Sequence, residues 1–151
     1  MEKLSIGIQC ASPALEKSLS VITSSTLIKK WVKEATQRSG SITLRFVNPA
    51  EGKKLNLAFR DKDQPTNVLT FPYELNKQSV TADIVLCLSV LQKESREQSK
   101  SSKAHLAHLI IHGCLHAQGY DHETDKEAKK MESLEIKILK RLGFPNPYLS
   151  Q

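Results

Sequence analysis

The chemistry in this sequence centres on His112, His116 and His122, which are spaced so that three imidazoles could surround one metal ion. His112 and His116 are four residues apart, so on a helix they lie about 6 Å apart along the axis and roughly 40° apart around it. Gly119 follows where such a helix must end, because a residue without a Cβ readily turns the chain back. The turn then brings His122 to the same side. This pattern predicts three nitrogen ligands and one open coordination position, which is typical of catalytic zinc.

Imidazole ligands without a thiolate favour zinc, one ion per chain, although copper, nickel and iron also accept such a set. Zinc lowers the pKa of a bound water and polarises phosphoryl or carbonyl oxygens, so a hydrolase is the simplest function. The alternative is that the three histidines merely pack in the core or lie on a helix surface. Their joint spacing around a helix-ending glycine favours the metal site.

The spacing His-x-x-x-His-x-x-Gly-x-x-His also matches the zinc signature of metzincin peptidases at every position but one. Gly113 stands where those peptidases carry the glutamate that serves as general base. Without that carboxylate, peptide hydrolysis loses its principal acid–base group. A peptidase or a small-molecule esterase is therefore a rival function, and hydrolysis of another kind of bond is favoured.

Four residues near the histidines have less decided roles. His105 and His108 lie upstream on the same helical face, where packing, support of a ligand or substrate contact is favoured over metal binding, because the turn already provides a third ligand. Asp121 could orient a ligand imidazole or form the turn through its short side chain, and both interpretations have equal weight. Cys114 points away from the His112/His116 face, which favours a place in the core.

The rest of the chain shows the patterns of strands and helices that would position this site. Period-two alternation predicts the first two strands, the continuous apolar run DIVLCL predicts a strand buried on both faces, and apolar residues at helical spacing between capping signals predict helices. Predicted strands cover 4–8, 41–47, 68–71 and 81–87, and predicted helices cover 27–35, 50–58, 88–99, 102–117 and 124–142.

The composition is that of one globular domain, with 151 residues of which 39% are apolar and 25% charged. No apolar run approaches the roughly 20 residues that a membrane span requires, and the first residues lack an apolar signal core. Cys10, Cys87 and Cys114 form no Cys-x-x-Cys pair, so we expect a soluble protein of the reducing cytoplasm. The net charge of +6 favours a polyanion such as RNA, although a basic surface that only keeps the protein soluble explains it equally well.

The segment HLIIHGCLHAQGYDH resembles the signature of the YbeY family of bacterial proteins, His-Gly-x-Leu-His-x-x-Gly-Tyr-Asp-His. LNLAFRDKDQPTNVLTFP, TADIVLC and EIKILKRLGFPNPY are also similar to family blocks, so the resemblance runs from about Leu55 to Tyr148. The chain departs from the family pattern at Ala82, where glycine is usual, and at Ala117 and Gln118, where two apolar residues are frequent. None of these departures removes a histidine.

The resemblance implies a metal-dependent, single-strand-specific endoribonuclease that acts in 16S rRNA 3′-end maturation and in ribosome quality control. Single-stranded RNA, rRNA and ribosomal particles are then the expected partners, and neither a membrane nor DNA is expected. It also implies an α+β fold, with a mixed sheet of about four strands surrounded by helices in a single domain over residues 1–151. A second rival is a ribosome-assembly binding protein whose metal mainly fixes the helix-turn geometry.

The resemblance assigns the family's functional arginine to Arg60, in the block LAFRDKD. By residue type alone, an arginine between a helix and a loop is more readily a surface charge. Its planar donor fork nevertheless suits a phosphate and the negative charge that grows on a phosphorane-like transition state. Lys62 is a candidate for a further phosphate contact, although a solvated loop lysine is the better interpretation. Asn67 and Thr70 are candidates for polar contacts, with turn-forming and strand roles equally plausible.

Overall fold

The computed structural model describes residues 3–60 and 67–149, which form a four-stranded sheet and six helices. This architecture confirms the expected α+β fold with a mixed sheet of about four strands surrounded by helices. No described helix has the length and apolar character needed to cross a membrane. In chain order the elements are β1 (Leu4–Cys10), α1 (Pro13–Ile22), α2 (Ser25–Ala35), β2 (Ser39–Val47), α3 (Pro49–Arg60), β3 (Val68–Leu75), β4 (Ser79–Cys87), α4 (Leu88–Glu97), α5 (Ser102–Ala117) and α6 (Asp125–Arg141).

The sheet has the strand order β1-β2-β4-β3. β1, β2 and β4 run parallel, whereas β3 is antiparallel and forms an edge. Ile42 of β2 lies between Ile6 of β1 and Ala82 of β4, so the three parallel strands present apolar side chains to the same side. The β3 ladder shifts register between Pro72 and Glu74. A proline has no backbone N–H to donate, and an edge strand tolerates it because one side of that strand has no neighbouring strand to pair with.

Helix α5, which carries two of the three histidines, lies against one face of the sheet and is buried along most of its length. Leu106, Ile110 and Ile111 are 0% exposed and share one core with Ile84 of β4. The helix and the strand approach most closely at Gly113, where an added Cβ would stand 2.8 Å from Cγ2 of Ile84. The absent side chain therefore allows α5 to lie directly on β4, with packing too dense for an extra methyl group.

One helix was not identified from the sequence. The hydroxyl of Ser12 caps α1 by accepting a hydrogen bond from the backbone N–H of Leu15 at 3.2 Å, and Pro13 occupies the first turn. Leu19 is the buried residue of this helix. Leu15 and Ile22 pack partly buried against the same core, so the helix has a short apolar stripe at the spacing i, i+4, i+7 that the sequence prediction did not use. The other predicted elements occur in the structure, and β3 continues to Leu75, beyond the predicted 68–71.

Alanine at position 113 should destabilise the protein, whereas alanine at position 52 should stabilise it. Both glycines lie inside helices, where alanine is favoured by about 1 kcal/mol. A Cβ on Gly52 would meet only ordinary contacts of 3.7 Å or more, so the free energy of unfolding should rise by about 0.5–1 kcal/mol. A Cβ on Gly113 would overpack the core against Ile84, which costs about 1–3 kcal/mol and outweighs the helical gain. Urea denaturation measures both changes, and equal stabilisation by the two variants would contradict the close contact.

Candidate metal centre

His112, His116 and His122 converge at the C-terminal end of α5. Each offers one ring nitrogen, and the three nitrogens lie within 4.8 Å of one another. The ring centroids are 5.0 Å apart for His112 and His116, 5.5 Å for His112 and His122, and 5.1 Å for His116 and His122. The first two residues are partly buried and His122 is exposed, so the cluster is accessible to solvent from the side of the turn.

The turn after α5 returns the chain so that His122 reaches the other two rings. Gly119 has a φ of +95°, which favours glycine. The backbone N–H of Gly119 donates to the carbonyl oxygen of His116 at 3.0 Å, and that of Tyr120 donates to the carbonyl oxygen of Leu115 at 3.1 Å, which is the Schellman arrangement of a helix end. The carboxylate of Asp121 accepts a hydrogen bond from the backbone N–H of His122 at 2.7 Å. The Asp121 side chain therefore supports the turn.

Glu135 of α6 lies behind the cluster and is 0% exposed. One carboxylate oxygen is 2.6 Å from Nδ1 of His112, and the other is 2.9 Å from Nε2 of His108 and also accepts a hydrogen bond from the hydroxyl of Tyr148. Burial alone would raise the pKa of Glu135, but the hydrogen bonds from His108, His112 and Tyr148 outweigh it and lower the pKa to about 2. The carboxylate is therefore ionised at neutral pH.

The ionised carboxylate determines which nitrogen each neighbouring histidine can offer. A carboxylate only accepts hydrogen bonds, so the proton of neutral His112 is on Nδ1 and the lone pair is on Nε2. Nε2 of His108 is bound to Glu135, so His108 lies next to the cluster without being part of the three-histidine group. Glu135 was not among the site residues predicted from the sequence. The available signal was a carboxylate on the apolar stripe of α6, beside Ile138 and Leu139, because a charge in that position needs partners.

His105 belongs to a separate hydrogen-bonded group. Its Nε2 lies 3.0 Å from the carboxylate of Glu94, which also accepts a hydrogen bond from the side-chain amide of Asn67 at 3.1 Å. His105 is 6% exposed and is the more deeply buried member of the pair. Two sequence-predicted candidates, His105 and Asn67, are thus engaged with Glu94 between α4, α5 and the start of β3.

The predicted phosphate-binding residues lie at the limit of the described structure. Arg60 is the last residue of α3, and its side chain is outside the described part of the chain, as is the whole of Lys62. Their phosphate contacts therefore stay predictions. Thr70 is a partly buried residue of β3, paired with Ile84 of β4.

Cys114 lies in the hydrophobic core, as its position on the helix predicted. Burial raises the pKa of its thiol to about 12, and a hydrogen bond with Thr36 offsets this only in part. The thiol therefore stays protonated, and a protonated, buried thiol is not a metal ligand.

The three-histidine group fits a divalent ion of intermediate softness. Three neutral imidazole nitrogens suit zinc, and they leave room for a fourth ligand from solution. The ionised Glu135 adds a negative charge behind His112, which favours a cation on the opposite side of that ring. The chemistry of the donor set and its partner carboxylate therefore agree with a catalytic metal centre.

Comparison with known proteins identifies one family. The family model described as Endoribonuclease YbeY matches residues 9–143. A protein named Endoribonuclease YbeY from Polynucleobacter asymbioticus is 65% identical over 148 residues, covering 98% of this chain and 96% of the relative. Another of that name from Janthinobacterium sp. is 53% identical over 150 residues, covering 98% of this chain and 96% of the relative. The solution structure of a Thermotoga maritima protein is similar with a TM-score of 0.57 and 26% identity, over 91% of each chain.

Proposed function

The chain belongs to the YbeY family of endoribonucleases, and on that premise we propose that His112, His116 and His122 hold one zinc ion with which the protein cleaves single-stranded RNA. The observation that carries this proposal is the convergence of three ring nitrogens at the turn after α5. We propose the 3′ end of 16S rRNA, in its maturation and in ribosome quality control, as the substrate. The net charge of +6 supports a polyanionic substrate.

Each group of the site has a part in this proposal. Zinc, when bound, polarises a phosphoryl oxygen and lowers the pKa of water. The three histidines supply neutral donors, and Glu135 keeps the proton of His112 on Nδ1. Arg60, at the end of α3, binds the phosphoryl oxygens through its planar fork and stabilises the charge that grows on them. We also propose a phosphate contact for Lys62.

The packing of α5 supports RNA rather than peptide as the substrate. A metzincin peptidase has a glutamate as general base directly after its first histidine ligand, the position that Gly113 occupies in this chain. A side chain at Gly113 would run into Ile84 of β4, because even its Cβ would stand 2.8 Å from Cγ2. Position 113 therefore supplies no base. Either water or the 2′-hydroxyl of RNA attacks the phosphorus, and in both cases the proton of the nucleophile goes to an acceptor other than residue 113. A 2′,3′-cyclic phosphate on the product would exclude direct attack by water as the sole step.

The proposal includes a cellular setting and a domain assignment. We propose that residues 1–151 act as one catalytic domain in the cytoplasm, on rRNA and ribosomal particles, without a DNA or membrane partner. Cys10, Cys87 and Cys114 are all free thiols, which is usual in a reducing compartment. The elements around the single sheet supply all three histidines and Glu135, which supports one functional unit.

Removal of the metal should stop RNA cleavage, and zinc should restore it. We expect the zinc-loaded protein to cut an unstructured RNA, to leave a base-paired RNA intact and to leave casein intact. Chelation should remove the activity because the three histidines by themselves supply no group that activates the phosphate. Gel analysis of RNA and casein after matched incubations measures this. Cleavage of casein by the zinc form, with RNA intact, would replace the proposal with a peptidase.

A further inference from the structure

We infer that Glu135 is a positioning residue of the metal centre, which holds the His112 ring so that its Nε2 faces the ion. This inference rests on the proposed function, because it assumes that His112 is a metal ligand. It adds a residue of α6, 23 positions further along the chain than His112, to a site otherwise formed by α5 and its turn.

Glu135 is buried on an otherwise apolar face of α6. Its side chain is 0% exposed, and it occupies the apolar stripe of α6 with Met131, Ile138 and Leu139. A buried carboxylate costs several kcal/mol of desolvation unless hydrogen bonds satisfy it, a cost that an apolar side chain on the same stripe would not carry. Core packing alone therefore does not account for a glutamate at this position.

Glu135 is in close contact with the ring of His112. The distance of 2.6 Å between Nδ1 and the carboxylate oxygen is that of a strong, charge-assisted hydrogen bond. Such a bond fixes both the tautomer and the rotation of the ring, and it makes the opposite nitrogen more basic. In His112 that opposite nitrogen is Nε2, the atom that can share an ion with His116 and His122.

The other carboxylate oxygen of Glu135 is held from the opposite side. It accepts hydrogen bonds from Nε2 of His108, at 2.9 Å, and from the hydroxyl of Tyr148. The rings of His108 and Tyr148 pack edge to face, with centroids 5.3 Å apart. With one oxygen fixed by two donors, the second oxygen has little freedom to leave His112. His108, a sequence-predicted candidate for support of a ligand, thus acts on the centre through Glu135.

Two substitutions of Glu135 should weaken zinc binding to different degrees. Glu135→Gln keeps the size of the side chain and removes its charge, so the zinc Kd should rise about tenfold. Glu135→Met removes the acceptor as well, so the Kd should rise about 100-fold. Competition with a chromophoric chelator measures the Kd of each purified, full-length variant. Nitrogen-15 NMR of the His112 ring should show protonation on Nδ1 in the parent protein and a mixture of tautomers in Glu135→Met.

Glu94→Gln is the matched control, because Glu94 also bonds a histidine of α5, His105, that is not a ligand. Its zinc Kd should stay within about twofold of the parent value, since the effect requires contact with a ligand. Glu135→Met leaves the donors of His108, His112 and Tyr148 without their acceptor, so its melting temperature should fall, and that of Glu135→Gln should fall less. The zinc Kd of every variant is therefore measured below the melting temperature of its metal-free form, where loss of affinity does not come from unfolding.

Three outcomes are distinguishable. A graded loss of affinity in the two Glu135 variants alone, with folded metal-free proteins, establishes the positioning role. Equal zinc affinity in the parent protein and in both Glu135 variants would overturn that role and leave the proposed function intact. A parent protein that takes up no stoichiometric zinc would overturn the proposed function itself and the inference with it.

Discussion

A His122→Ala variant should bind zinc too weakly for a stoichiometric complex and should lose RNA cleavage by about 10³-fold while keeping its fold. His122 is exposed at the turn, so its removal costs little packing. The substitution leaves two histidine ligands, whereas a catalytic zinc site has three protein ligands. The ion contributes several kcal/mol of transition-state stabilisation, and about 4 kcal/mol corresponds to a factor of about 10³. Elemental analysis gives the zinc content, and cleavage of a fluorescent, unstructured RNA gives the rate.

Glu123→Ala is the matched control, since Glu123 is the exposed neighbour of His122 in the same turn. It should retain the zinc content and the cleavage rate of the parent protein. Circular dichroism of both variants should match the parent spectrum. A His122→Ala protein that kept stoichiometric zinc and full cleavage would contradict the three-histidine centre.

An Arg60→Ala variant should lower RNA cleavage by about 10²–10³-fold and leave zinc binding unchanged. Loss of one preorganised donor to a transition-state oxyanion has an effect of this size. Arg60 is at the end of α3 and outside the three-histidine group, so the metal content should not depend on it. Single-turnover cleavage under saturating RNA, together with zinc analysis, measures the two effects separately.

Two further variants test the role of the Arg60 guanidinium. Arg60→Lys keeps the charge but loses the bidentate fork, so we expect an intermediate rate. Lys54→Ala removes an exposed charge from the same helix and should have little effect. If Arg60→Ala kept its fold and zinc and still cleaved RNA at the parent rate, the catalytic assignment would fail. The rival function, that of a binding protein whose metal fixes the turn, would then be favoured.

The three-histidine group could be predicted from the sequence because its geometry is local. Helical periodicity alone places His112 and His116 on one side, and the conformational freedom of Gly119 accounts for the return to His122. The structure has that helix, ending at Ala117, and that turn, with a φ of +95° at the glycine. The strands were predictable for a similar reason, since alternation over a few residues reflects the two faces of one sheet.

Contacts between distant segments could not be predicted in the same way. Glu135 meets His112 only because α6 packs beside α5, and Asn67 meets Glu94 only because β3 starts next to α4. Neither pair has a characteristic sequence spacing, since tertiary packing determines both. α1, in contrast, had local signals that were not used, namely the Ser12 cap, Pro13 in the first turn and Leu15, Leu19 and Ile22 at helical spacing. The role of Arg60 stays a prediction that the variants above test.

The contact between Gly113 and Ile84 also limits how this active centre can evolve. A single codon change that gave position 113 the glutamate of a peptidase would bury a carboxylate between a helix and a strand, where no space exists for it. The chain could acquire that base only if the Ile84 side chain also changed or if α5 moved away from the sheet, and such a movement would displace two of the three histidines at the same time. The two enzyme classes share a ligand spacing, but the backbone packing of this fold separates them by more than one mutational step.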